Sequence, residues 1–364
     1  MNRRRWTLGI AAILLAGCLG LLDAYWRWHD AGSRTRDFVL SAMPPDASAV
    51  LFADLAELRG TPFAAAFYNW IPKNQADPEY AQFLRETGFD YERDLDRVAI
   101  AVTKTEKESK LFAVAEGRFD HKKIEAYASR SGTREIRGGR EILTVPLSDS
   151  ARKISFAFLS KEEVALTDAG ELATFLAPLP NTTDAREWRE RFTREAGSPV
   201  FAVIRQDAAA GSALASRTPG GFQSPQLSGL LDQLQWITLA GKPQDSALRI
   251  VAEGECSSDQ TARQLADLLN GVLVLAQAGL SSPKTRQQLD PRIRDAYLDL
   301  IKGADVSRFD RGETKSVRVV FDVTPRLLEA ATIAVPAEPP RAVPTIPARK
   351  PQANKTRAQK TTKN

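Results

Sequence analysis

The sequence predicts an α+β fold with mixed, largely antiparallel sheets and packed helices. Short runs rich in β-branched and aromatic residues recur along the chain, and amphipathic segments with recognisable start and stop residues separate them. Polar linkers at 105–110 and 242–246 join two pairs of these runs. Such spacing is typical of hairpins, in which neighbouring strands run antiparallel.

Nine segments have the composition and length of strands, because branched and aromatic side chains favour a pleated, half-buried backbone. They are 50–54, 97–102, 111–116, 141–146, 154–159, 200–204, 235–239, 248–253 and 316–323. Helices are predicted where a capping side chain precedes apolar residues three or four positions apart. Asp77 with Pro78 begins one helix that Gly88 ends, and Asp290 begins another that Gly303 ends.

Two further segments are predicted to be helical. Asp184 with Glu187 resembles a capping box at the start of a helix that connects two parts of the body. The segment 261–280 is the most apolar stretch of the body, and an apolar stripe from Leu265 to Leu275 predicts a helix buried in the core. Polar residues interrupt this stretch, which argues against a second membrane span.

Two parts of the chain repeat the same order of predicted elements, which predicts two related halves. The unit 95–117 is a strand, a linker and a strand that end in Val-Ala-Glu-Gly, and the unit 231–254 ends in the same four residues. The strand 50–54 has a counterpart at 200–204. The predicted organisation is an anchor or signal segment (1–28), a linker (29–42), a first α+β half (43–180), a connecting helix (181–197), a second half (198–334) and a tail (335–364).

Basic charge is concentrated at the two ends of the chain. The formal net charge is +5, yet residues 335–364 carry seven Lys or Arg against one acid, and residues 1–36 carry six Arg against two Asp. The body between them therefore has a net charge of about −5, and we expect no specific nucleic-acid binding. The tail has six prolines and no aromatic residue, so it is predicted to be a disordered basic segment suited to an anionic polymer or to lipid headgroups.

The N-terminus has the order of an export or anchor signal, because Arg3 to Arg5 precede an uncharged run from Trp6 to Leu22. In one interpretation, residues 6–25 form a single inner-membrane helix and the body lies in the periplasm. In the second, residues 15–18 (Leu-Ala-Gly-Cys) are a lipobox, and Cys18 is lipidated in a membrane lipoprotein. Both place the body in a bacterial cell envelope. A buried core helix is the third interpretation.

The sequence carries no strong catalytic, cofactor-binding or metal-binding motif. H-E-x-x-H, paired C-x-x-C, the phosphate-binding loop, the dinucleotide fingerprint and G-x-S-x-G are all missing. His29 and His121 are far apart in the sequence, and His121 is interpreted as a surface residue at a helix start. Cys256 is interpreted as a small residue beside a strand end. We therefore expect no cofactor and no metal.

Four carboxylates alternate along a short segment before a predicted strand. They are Asp90, Glu92, Asp94 and Asp96. Such an arrangement would suit Ca²⁺ or a hydrolase that uses a pair of carboxylates. Arg93 and Arg97 would neutralise the cluster, and the glycine and late glutamate of an EF-hand loop are not in place. The simpler interpretation is a charged turn that leads into a strand.

A second weak pattern is S-x-x-K, the core of a Ser/Lys nucleophile pair. Ser150 with Lys153 and Ser281 with Lys284 match it. Neither pair is accompanied by the S-D-N or K-T-G motifs that complete such sites. The match is therefore expected to arise by chance.

Residues 43–103 resemble exported, membrane-anchored bacterial proteins of uncharacterised function. The resemblance rests on Pro-Asp-Ala at 45–47, which opens a strand and a helix. It also rests on Thr-Gly-x-Asp at 87–90 and on Asp-Leu-Asp-Arg-Val at 94–98. These motifs contain no catalytic residue that could be carried over. The resemblance implies an envelope location and no particular activity.

The leading hypothesis is a non-enzymatic, membrane-anchored envelope protein whose body binds or scaffolds an envelope partner. One alternative is an envelope hydrolase that uses carboxylates or a Ser/Lys pair. The other is a polyanion-binding protein that acts through the basic tail.

Overall fold

A computed structural model shows one antiparallel sheet with helices on both faces. It describes residues 36–37, 39–70, 78–104, 109–146, 153–168, 172–176, 182–206, 233–312 and 314–334. The predicted anchor and tail lie outside these ranges, as do Cys18, His29 and Ser150. None of the helices in these ranges combines the length and apolar character that crossing a bilayer requires.

The sheet has twelve described strands. In chain order they are β1 (Ala49–Asp54), β2 (Leu95–Lys104), β3 (Ser109–Gly117), β4 (Thr133–Arg137), β5 (Arg140–Pro146), β6 (Lys153–Phe158), β7 (Glu163–Thr167), β8 (Val200–Arg205), β9 (Leu234–Gln244), β10 (Ala247–Cys256), β11 (Asp305–Arg311) and β12 (Thr314–Val323). Their order across the sheet is β11-β12-β10-β9-β8-β1-β2-β3-β7-β6-β5-β4.

The prediction of mixed sheets needs correction in two respects. All neighbouring pairs of described strands are antiparallel, and a single sheet contains them all. The sheet is single because β1 pairs directly with β8, with Phe52 opposite Phe201. Each of these strands thus covers what would otherwise be an open edge of the other half of the sheet. The α+β class itself is confirmed.

The described helices with defined bounds flank the sheet. They are α1 (Leu55–Arg59), α2 (Pro62–Trp70), α3 (Pro78–Thr87), α4 (Tyr91–Asp94), α5 (His121–Ala128), α6 (Leu172–Phe175), α7 (Thr183–Arg194), α8 (Asp259–Ser281), α9 (Pro283–Gln288), α10 (Pro291–Gly303) and α11 (Pro325–Ala334). The helix α3 stops before Gly88, whose φ of +73° suits glycine. Asp290 caps α10 by accepting a hydrogen bond from the Arg292 amide at 2.8 Å.

Two predicted helices differ in detail from the structure. The N-cap of α7 is Thr182 rather than Asp184, because the Thr182 hydroxyl accepts from the Ala185 amide at 3.2 Å. Asp184 instead pairs with Arg205 at 3.1 Å. The helix α8 was expected to be buried throughout, but only its first half packs on the sheet, and Leu275 is 69% exposed. A helix of 23 residues is about 34 Å long and extends beyond its contact with the strands.

The two faces of the sheet carry separate cores. We call the face that α7 covers the inner face and the other the outer face. The inner face carries Phe52 and Phe201, whose stacked rings have centres 5.2 Å apart. It also carries Trp236, whose ring centre lies 4.9 Å from that of Trp188 in α7. The outer face contributes Val317 and other apolar residues to a core with the first half of α8. The central inner face is therefore closed by α7.

The strand order is the same on both sides of the β1–β8 pair. Moving outward, β1, β2 and β3 correspond to β8, β9 and β10. A helix follows the third strand in each case, namely α5 or α8. The chain then returns as a hairpin, β6–β7 or β11–β12, whose second strand pairs with the third strand. The hairpin β4–β5 is additional in the first half.

Candidate functional site

A cavity opens on the inner face beyond the C-terminal end of α7. Its floor consists of alternate residues of β9 and β10, together with residues of β11 and β12. Its wall consists of side chains between Arg194 and Ser198, where the chain leaves α7 and turns toward β8. The cavity has a volume of about 270 Å³. We call it the inner-face cavity.

Glu253 of β10 is the centre of the cavity floor. Its carboxylate accepts hydrogen bonds from Arg318 of β12 at 2.9 Å and from Arg311 of β11 at 3.2 Å. Both guanidinium groups also lie over the ring of Phe309, at 4.3 and 4.9 Å from its centre. Two arginines from two strands therefore fix one nearly buried acid.

Glu255 fastens the cavity wall to the sheet. It lies two residues after Glu253 and thus on the same face of β10. It accepts hydrogen bonds from Arg194 at 2.7 Å and from Arg191 at 2.5 Å, both of α7. The Arg191 guanidinium also lies 3.9 Å from the centre of the Trp236 ring. These contacts join the end of α7 to β10 and set the width of the cavity.

Two charged side chains that line the cavity form no such ion pairs. Glu195 and Lys242 both line it, and neither side chain has an ion pair or hydrogen bond with any residue in the described ranges. The backbone carbonyl of Glu195 accepts from Arg36 at 2.6 Å, which holds the backbone but leaves the carboxylate free. Arg249 at the rim already pairs with Asp322 at 2.9 Å.

The two carboxyl groups of the cavity have pKa values shifted in opposite directions. Burial raises the pKa of Glu195, and repulsion from Glu253 raises it further, against the opposing charge of Arg311. Burial also raises the pKa of Glu253, but the hydrogen bond from Arg318 and the charge of Arg311 outweigh that effect. The net pKa of Glu253 is therefore below its ordinary value, whereas that of Glu195 is above it.

Asp90, Asp94 and Asp96, three of the four alternating carboxylates in the sequence, each have a structural partner. Asp90 caps α4 by accepting from the Glu92 amide at 3.0 Å. Asp94 accepts from Arg93 at 2.8 Å, which holds its pKa well below the ordinary range despite the opposing effect of burial. Asp96 pairs with Arg59 at 3.4 Å. This arrangement agrees with a charged turn.

Metal-binding side chain types are scattered through the described ranges. Within those ranges, no group of three or more His, Cys, Asp or Glu residues is arranged to hold an ion. His121 begins α5, where its ring stacks on Phe158 at 3.7 Å and its Nε2 lies 3.1 Å from the Lys161 carbonyl oxygen. Cys256 belongs to the outer core, where burial raises its pKa to about 11.

The Ser/Lys pairs lie at the surface where the structure describes them. Ser281 ends α8 and Lys284 belongs to α9, and both are exposed. Lys153 begins β6 and is exposed, whereas Ser150 lies outside the described residues. None of the described members of these pairs lines the inner-face cavity.

The cavity was not predicted, although the sequence carries a signal for it. Arg249, Glu253 and Glu255 alternate along β10, and Arg318 and Asp322 lie an even number of residues apart on β12. Alternate positions share one face of a strand, so the pattern predicts a charged face in the second half. Glu253 itself belongs to the repeated Val-Ala-Glu-Gly motif.

Comparisons with known proteins give only distant structural similarity. No protein-family model matches the chain, and no curated protein matches it. Among solved structures, the chain is similar to three crystal forms of TP0453, at 10%, 11% and 9% identity and TM-scores of 0.44, 0.43 and 0.42. Each match covers 81% of this chain and 96% of the other.

Proposed function

We propose that the chain is a non-enzymatic, membrane-anchored protein of the cell envelope that binds a partner through the inner-face cavity. The observation that carries this proposal is the cavity itself, in which Glu195 and Lys242 are left free among groups that ion pairs hold in place. Fixed charges around free charges are suited to recognition, because the site needs little reorganisation when a ligand enters.

The envelope location rests on the N-terminal sequence. Arg3 to Arg5 followed by the apolar run from Trp6 to Leu22 suits an anchor in the inner membrane, with the body in the periplasm. The lipobox ending in Cys18 would instead make the chain a membrane lipoprotein. In either arrangement the body, and with it the cavity, is held close to a lipid surface.

The body is proposed to have arisen by internal duplication. Five strands in the same order on each side of the β1–β8 pair support this proposal, as does the placement of a helix after β3 and after β10. In the first half, α6 lies on the inner face, where Phe175 stacks on Phe112 at 4.9 Å. In the second half, the chain after β12 forms α11, which packs on α10. The two halves therefore differ in the helix that follows their shared strands.

A hydrolase that uses paired carboxylates is the second candidate. Glu195 with a raised pKa and Glu253 with a lowered pKa line one cavity, which is the division that an acid and a base require. Against it, Arg311 and Arg318 already occupy the Glu253 oxygens, so this carboxylate has little freedom to act as a base. For a hydrolase that uses a Ser/Lys pair, none of the described members of the two pairs lines the cavity. The polyanion-binding alternative depends on the tail, 335–364, which lies outside the described residues.

Site-specific photo-crosslinking in membranes tests the binding role. A photo-reactive amino acid is placed at Gln244, an exposed residue that lines the cavity, and in a control chain at Ile136, which is 76% exposed on β4. The proposal expects a discrete product from Gln244 that Lys242→Glu abolishes. Equal labelling from both positions, or a product insensitive to Lys242→Glu, would contradict a role for the cavity.

A further inference from the structure

The free charges of the inner-face cavity are of opposite sign. Arg311 and Arg318 are both bound to Glu253, so their hydrogen bonds are directed at this acid, and the three groups together carry a net charge of +1. Glu195 and Lys242 remain, each without an ion pair to any residue in the described ranges. The cavity thus presents one free carboxylate, from Glu195, and one free ammonium group, from Lys242, to a ligand.

The surroundings of Glu195 favour a cation beside it. The carboxylate is partly buried, and Glu253 repels it, so its charged form is disfavoured. A ligand ammonium would offset this cost by supplying hydrogen bonds and a positive charge. Arg311 and Arg318 attract Glu195 through their charge, but they donate their hydrogen bonds to Glu253.

Another part of the lining favours an anion. Lys242 is exposed on β9, and its ammonium is free to donate three hydrogen bonds. Gln244 on the same strand adds an amide, and Thr238 and Ser198 add hydroxyl groups to the lining. A purely anionic ligand would meet the repulsion of Glu195, and a purely cationic one the repulsion of Lys242.

The volume indicates the size of the group that the cavity can hold. A liquid water molecule occupies roughly 30 Å³, so 270 Å³ accommodates about nine atoms of that size. This suits a group as large as an amino acid or the polar part of a small amphiphile. Larger molecules would enter only by one end.

We propose that the inner-face cavity binds a small zwitterionic group, with its primary ammonium at Glu195 and its phosphate or carboxylate at Lys242. The inference rests on the proposed binding role of the cavity and names the ligand class for it. The same chemistry occurs in free aminoalkyl phosphates and in lipid headgroups, and the test separates these sources.

The first experiment measures binding of O-phosphoethanolamine to the full-length chain in maltoside detergent by isothermal titration calorimetry. Phosphocholine is the matched control ligand, because it has the same charges but no ammonium hydrogen to donate. We expect binding of phosphoethanolamine and about tenfold weaker binding of phosphocholine. Glu195→Gln and Lys242→Gln should each weaken phosphoethanolamine binding about tenfold, whereas Lys284→Gln, at an exposed lysine of α9, should not.

Equal binding of the two ligands, no binding of either, or unchanged binding by Glu195→Gln overturns the proposal. The Gln244 crosslink in membranes is scored independently. A Lys242-dependent crosslink without phosphoethanolamine binding keeps the binding role and rejects the ligand class. Loss of both rejects both.

The second experiment identifies the source of the zwitterion. The full-length chain with the photo-reactive residue at Gln244 is reconstituted into vesicles of phosphatidylethanolamine or of phosphatidylcholine. A lipid adduct in the first vesicle alone supports the proposal with a headgroup as ligand. No adduct in either vesicle, with calorimetric binding intact, supports it with a free zwitterion. Equal adducts in both vesicles contradict it.

Discussion

Glu253 on β10 and Arg318 on β12 lie directly opposite each other in the sheet, and the guanidinium donates to the carboxylate at 2.9 Å. Glu116 of β3 is the glutamate of the other Val-Ala-Glu-Gly motif. Its partner, Arg97 at 2.8 Å, comes from the preceding strand β2, whereas the partner of Glu253 comes from the strand on the other side. The residue that faces Glu253 from the preceding strand, β9, is Thr238. The smaller side chain leaves room for the inner-face cavity.

The first prediction concerns the floor of the cavity. Glu253→Gln should lower the free energy of unfolding by about 3 kcal/mol, because two guanidinium groups lose the buried acid that they share. Asp322→Asn is the control, since it removes an ion pair with Arg249 whose side chains are 43% and 40% exposed. The control should cost less than about 1 kcal/mol in urea unfolding. Equal losses would show that the Glu253 cluster does not stabilise the sheet.

The second prediction compares the glycines of the two repeated motifs. A Cβ at Gly117 would lie 2.3 Å from the Asp94 carbonyl oxygen, whereas a Cβ at Gly254 would lie 3.0 Å from the nearest side-chain atom of Leu234. Backbone cannot move as easily as a leucine methyl, so Gly117→Ala should cost about 2 kcal/mol or more and Gly254→Ala less. Thermal unfolding measures both. A larger loss for Gly254→Ala would mean that the packing at Asp94 is looser than described.

The third prediction concerns pH. The raised pKa of Glu195 means that its charged form opposes folding, so stability is lost as the pH rises from the unfolded pKa through the folded pKa. Glu195→Gln should therefore stabilise the chain slightly at pH 7, by up to about 0.5 kcal/mol, and leave it unchanged below about pH 4.

Glu190 provides the control of opposite sign. A hydrogen bond from Arg194 lowers the pKa of Glu190, so its stabilising contribution is present near neutral pH and is lost as the pH falls. Glu190→Gln should destabilise the chain at pH 7 and not in acid. Destabilisation by Glu195→Gln at pH 7 would contradict the description of Glu195 as an uncompensated acid.

The fourth prediction separates the two kinds of anchor. If the lipobox operates, Cys18→Ala should abolish incorporation of a labelled fatty acid and leave an uncleaved precursor. If residues 6–25 span the membrane, the variant should be processed and located as the wild type. Cys256→Ala is the control, because Cys256 is buried and its raised pKa keeps it a thiol. Fatty-acid labelling that persists in Cys18→Ala would reject the lipobox.

Most strands inside the sheet could be predicted from the sequence because one face of each packs against a core, although β7, which lies between β3 and β6, was not predicted. In β1, for example, Val50 and Phe52 are buried by the inner core, and their alternation is visible in the sequence. The edge strand β4 was missed because all five of its residues are exposed, so no apolar pattern marks it. The edge strand β11 was missed for a similar reason, since Asp, Ser and Arg dominate it.

The cavity could not be predicted in the same way because it depends on contacts across long stretches of sequence. Arg191 and Arg194 reach Glu255 from a helix more than sixty residues earlier. Strand alternation predicts that Glu253 and Glu255 share a face, but only the strand order brings Arg311 and Arg318 beside Glu253. The position of α7 then decides that Glu195 faces the same space.

Cell fractionation of the full-length wild-type chain tests the central claim, which is a body held at the envelope by its N-terminus. The account predicts that the chain sediments with membranes, resists extraction by high salt and is released by detergent. A chain lacking residues 1–28 should be soluble. Recovery of the full-length chain in the soluble cytoplasmic fraction, with Arg3 to Arg5 intact, would contradict both anchor interpretations and the envelope function built on them.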